Sequence, residues 1–133
     1  MGKYGEVAVR ATELVRIDAC DSPREAWQTA AREVFPDQAS SQKKSCPMSA
    51  YLGLCEKGFV VGVSPGHYAE RGDNKAYAID AVRLLKRDPA LAEEGPAALW
   101  HLVMRGRDKK ANSQMEVVLA LWTCGLIDPR SVS

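Results

Sequence analysis

Residues 43–60, KKSCPMSAYLGLCEKGFV, return in weaker form at 109–127, KKANSQMEVVLALWTCGLI. Each copy reads as a helix entered through two lysines and left through a glycine, Gly58 or Gly125. A fold built on this stretch has to accommodate two similar helices, and the helices before them repeat as well. Val7, Ala8, Ala11, Leu14 and Val15 form one stripe of a 3.6-residue helix, and Tyr77, Ala78, Ala81, Leu84 and Leu85 reproduce it. Pro23 and Trp27 likewise return as Pro96 and Trp100. Three matched helices in the same order indicate an internal duplication.

The expected fold is all-α: a compact six-helix domain, residues 1–133, made of two three-helix units at 4–63 and 74–128. Residues 64–73, rich in Pro and Gly, connect them. A unit of roughly 60 residues barely holds its own core, so the two units are expected to pack with approximate two-fold symmetry. Local signals mark the helix ends. Ser22 precedes Pro23 and Glu25 as a capping box, and Ser113 with Glu116 reads as a second one. The polar stretch 37–44 reads as a loop, and 59–63 as one strand or extended chain. Trp27, Trp100 and Trp122 are expected in the core or at an interface.

Charge narrows the function. The formal net charge is +1, so no global field draws the chain to nucleic acid or an acidic membrane. Any such contact has to be local. No apolar run approaches the roughly 20 residues that span a bilayer. Met1 and Gly2 invite a myristoylation reading, but Glu6 stands where Ser or Thr is needed. The four cysteines, Cys20, Cys46, Cys55 and Cys124, form no C-x-x-C pair, and the opening residues lack a secretory apolar run. A reduced, cytoplasmic protein with no metal or other cofactor is expected.

The candidate sites are the two helix starts. Lys43, Lys44 and Ser45 stand before one, and Lys109, Lys110 and Ser113 before the other. A helix N-terminus offers unpaired amides and partial positive charge to a phosphate or carboxylate, and adjacent lysines add to both. Cys46, beside the same lysines, is a candidate thiolate nucleophile with His67 as its base. No spacing rule places His67 or His101 beside it, and a quiet helix-end cysteine is the simpler role.

A helix-turn-helix drawn from the second and third helices would need a turn longer than the usual 3–4 residues. Glycines in no G-x-G-x-x-G or Walker arrangement disfavour those nucleotide folds. The sequence therefore favours a binding module for an anionic ligand, nucleic acid or protein, possible homodimer included, over an enzyme. A thiol enzyme using Cys46 and an oligomeric adaptor are the alternatives.

The segments KYGEVAVRATEL from Lys3, SPREAW from Ser22, SSQKKSCP from Ser40 and NSQM from Asn112 resemble a small bacterial family that carries a domain-of-unknown-function label. The resemblance implies a helical fold in a bacterial, cytoplasmic setting. It implies no activity, ligand or catalytic residue.

Overall fold

A computed structural model describes residues 2–70 and 72–132. The chain is all-helical: the described residues form seven α-helices and no strand. They are α1 (Lys3–Arg16), α2 (Pro23–Val34), α3 (Ala39–Gln42), α4 (Ser45–Glu56), α5 (Asp73–Arg87), α6 (Pro96–Met104) and α7 (Gln114–Thr123). Short 3-10 helices follow α5 at Pro89–Glu94 and α7 at Pro129–Ser131.

The apolar stripe of α1 is buried as its spacing requires, with Val7, Ala8 and Ala11 fully enclosed. Ser22 caps α2 by accepting from the Glu25 amide at 3.1 Å, and Pro23 occupies the first turn. The Glu25 carboxylate reaches back one residue further than a capping box requires, to the Asp21 amide at 3.1 Å. Residues 37–44, expected as a loop, contain the single turn α3, where Gln42 folds back onto the Phe35 carbonyl at 2.6 Å. The second expected capping box is absent. Ser113 lies in the left-handed region at φ 67° and makes no side-chain cap.

α1 packs chiefly on α2 and α7, while α4 packs on α5 and α7. One hydrophobic cluster runs through all the long helices, from Tyr4 to Val132. Both glycine exits close in the same way. The Gly58 amide bonds the Cys55 carbonyl and the Phe59 amide the Leu54 carbonyl; Gly125 and Leu126 do the same with Trp122 and Leu121. Gly58 and Gly125 sit at φ 77° and 71°, where a side chain would be strained.

Just beyond these exits the chain forms an isolated antiparallel bridge, Val60 with Ile127. The Val61 amide donates to the Leu126 carbonyl at 2.8 Å, and the Asp128 amide to the Phe59 carbonyl at 2.9 Å. The bridged residues are each the second after a glycine exit, Val60 after Gly58 and Ile127 after Gly125. The expected strand at 59–63 is this one bridge.

The segment before α5 is fastened at Tyr68. Glu56, with 13% of its side chain exposed, accepts from the amides of Tyr68 at 3.0 Å and Ala69 at 3.2 Å, and also bonds the Lys75 ammonium. Arg24 crosses from α2 to donate to the Tyr68 carbonyl at 3.1 Å, its guanidinium resting against the Met48 sulfur at 4.0 Å.

Inside the core, the hydroxyls of Thr12 and Tyr51 lie 2.9 Å apart, and Thr12 also donates to the Ala8 carbonyl. Next to them burial pushes the Cys55 thiol from 9.0 up to about 12, and burial raises Tyr51 as well. A raised folded-state value contributes stability below pH 9.0 and loses it as pH climbs towards about 12. Within that window each pH unit removes up to about 1.4 kcal/mol per group. Urea unfolding at pH 8.5 and 10.5 should show the decline, and Cys55→Ala should flatten it. An equally steep decline in the variant would show that the thiol plays no part.

Candidate functional site

The first lysine pair stands on an aromatic platform. Tyr4 of α1 and Phe35 after α2 stack with centroids 4.9 Å apart, and the Tyr4 hydroxyl donates to the Ser41 carbonyl at 3.0 Å. Burial, the largest influence, holds the Tyr4 phenol above its ordinary value. The Lys44 ammonium lies 5.1 Å from the Tyr4 ring, and the Lys3 ammonium 5.5 Å from the Phe35 ring. Lys43 is exposed beside them.

Lys3, Lys43 and Lys44 have no carboxylate partner among the described residues. The helix ends at this face are also open. Neither α1 nor α4 has a side-chain cap. The amides of Ser45 and Cys46 therefore start α4 without partners in the helix. Together these groups can hold a phosphate or carboxylate by charge and by amide donation. Lys3 was not among the sequence candidates. It lies far from Lys43 in the chain, and the contacts of Tyr4 with Phe35, Ser41 and Lys44 bring the two together.

The second lysine pair is differently employed. Lys109 bonds the Asp73 carboxylate at 2.8 Å, which holds Asp73 below and Lys109 above its usual range. Arg107 donates to the carbonyls of Met104 and Val103, both at 2.9 Å, closing the end of α6. Its guanidinium and the Lys109 ammonium stand 5.3 and 5.7 Å from the Tyr77 ring. The Trp100 indole nitrogen donates to the Lys109 carbonyl at 3.0 Å. Lys110 is exposed, while Ser113 is half-buried.

Cys46 is half-buried, and His67 and His101 are both exposed. No hydrogen bond among the described residues joins Cys46 to either histidine. Cys124 is exposed, while Cys20 and Cys55 are buried.

Two hollows adjoin the start of α6. One of about 360 Å³ is lined by Pro96, Ala97, Ala111, Ser113, Met115 and Glu116. The other, of about 220 Å³, shares Pro96 and Glu116 and extends to Leu119 and Thr123. Glu116 has no hydrogen bond or ion pair among the described residues. The described residues contain no helix long and apolar enough to cross a membrane.

One family model, described as a family of unknown function (DUF6979), matches residues 1–128. No curated protein matches the chain. No solved structure does either.

Proposed function

From the premise that the chain belongs to this family of unknown function, we propose that it is a binding module, not an enzyme, receiving an anionic partner at the start of α4. The observation that carries this reading is the trio Lys3, Lys43 and Lys44, unpaired with any carboxylate among the described residues, beside an uncapped helix end. Its natural partner bears phosphates, nucleic acid included, because amides and ammonium groups together suit phosphate oxygens. Lys109 and Lys110 belong to a secondary place, since Lys109 already has Asp73. Cys46 is the quiet thiol of a helix end.

The double variant Lys43→Ala/Lys44→Ala should leave a heparin column at clearly lower salt than the parent, whereas Lys109→Ala should leave with it. Unchanged retention of the folded double variant defeats the proposal.

We also infer that the chain is one domain, built from two copies of a three-helix unit, 4–63 and 74–128, joined through 64–73. In this pairing α1, α2 and α4 correspond to α5, α6 and α7. The matching glycine exits support it, and so does the bridge that pairs the second residue after each of them, Val60 with Ile127. So does the exchange of neighbours, in which α1 packs on α7 as α5 packs on α4. A bacterial cytoplasm is the setting that the reduced cysteines suit.

A further inference from the structure

The correspondence between α2 and α6 gives the hollow beside α6 a meaning. Pro23 opens α2 and Pro96 opens α6, so Arg24 and Ala97 hold the same place, directly after the proline. Met48 of α4 and Met115 of α7 are likewise each the fourth residue of the shared pattern that begins at Ser45 and Asn112. In the first half the Arg24 guanidinium lies against the Met48 sulfur and donates to a carbonyl at 3.1 Å. In the second half alanine replaces that arginine, and a hollow of about 360 Å³ opens between Ala97 and Met115. A carboxylate, Glu116, stands in its wall where the first half has Ser49.

We propose that the hollow between α6 and α7 binds a guanidinium group supplied from outside the chain, in the place that Arg24 fills for α2 and α4. The proposal rests on the pairing of the two halves, and Glu116 also lies against Gly2 at the start of α1. Glu116 supplies the charge and the planar acceptor pair that a guanidinium matches with two parallel hydrogen bonds. Met115, buried to 2% exposure, forms part of the wall opposite Ala97, at the position that Met48 holds beneath Arg24. The adjoining hollow of about 220 Å³, with Leu119 and Ala120 in its wall, receives an aliphatic stem. The ligand class is an alkylguanidine, either a free small molecule or the arginine of a peptide.

Amide chemical shifts of the full chain, followed during titration, test this. Agmatine and a blocked Ala-Arg-Leu tripeptide are the two ligands. Shifts centred on Ser113, Met115 and Glu116 are expected with at least one of them. Tighter binding of the tripeptide assigns the site to a peptide arginine, and tighter agmatine to a small alkylguanidine.

Putrescine, which keeps both charges of agmatine without the guanidinium plane, should bind about tenfold more weakly, and so should agmatine to Glu116→Gln. Ala97→Arg supplies the missing side chain from within and should abolish the shifts while the fold is kept. Absence of binding by both ligands overturns the site. Binding by putrescine equal to that of agmatine overturns its guanidinium character. Undiminished binding to Ala97→Arg overturns the correspondence with Arg24, while heparin retention reports separately on the lysine face.

Discussion

Replacing Gly53 with valine should cost the fold about 3 kcal/mol, at the upper end of what overpacking a close contact costs. Gly53 faces α5 at a close approach between the two helices. A Cβ placed there would lie 2.9 Å from the Lys75 Cα, 2.8 Å from its Cβ and 2.6 Å from its Cγ. The Cγ could swing aside, but the Cα belongs to a helix and yields only if α5 shifts off α4. That shift would also strain the bond between Glu56 and Lys75.

Alanine at the same place should fall between parent and valine, because its better helix propensity, about 1 kcal/mol, offsets part of the clash. The check is the urea midpoint of both variants. A valine variant as stable as the parent would mean that the helices do not approach this closely.

Trp27→Ala is expected to lose about 3–5 kcal/mol, the usual result of emptying the place of a buried aromatic ring. Trp27 is 1% exposed, and its ring lies 5.3 Å from that of fully buried Tyr51. The cavity would open where α2 meets α4, with no flexible surface to collapse into it. Trp122 gives the comparison. It is only partly buried against the core, so Trp122→Ala should cost about 1–2 kcal/mol on burial grounds. Equal losses at the two positions in urea unfolding would refute this ranking of the tryptophans.

The long helices were legible because their apolar spacing is a direct image of burial: Val7, Ala8, Ala11 and Leu14 all lie inside. The glycine exits were legible too, since few residues other than glycine suit the left-handed turn at Gly58 and Gly125. α3 was not, because an alanine and three polar residues carry no period and are held by Gln42 and its bond to Phe35.

Ser113 misled for a related reason. Its sequence matches a cap, but Gln114 is buried and bonded to Asn74 at 3.0 Å, and the Asn112 amide turns to the Gln114 side chain. Among the basic residues at 105–110, Arg107 serves the end of α6 and Lys109 serves Asp73. A charge's partner is decided by distant residues. Lysine counts alone could not separate that pair from Lys43 and Lys44.

The packing of α1 on α7, with the Val60–Ile127 bridge, also governs the order in which a growing chain can settle. While the ribosome has made only the first half, α1 lacks one of its two chief neighbours, and the elbow at Val60 has no mate. Completion of the structure waits for synthesis of α7 and Ile127. Until then the inner side of α1 is surface that a nascent-chain chaperone would meet.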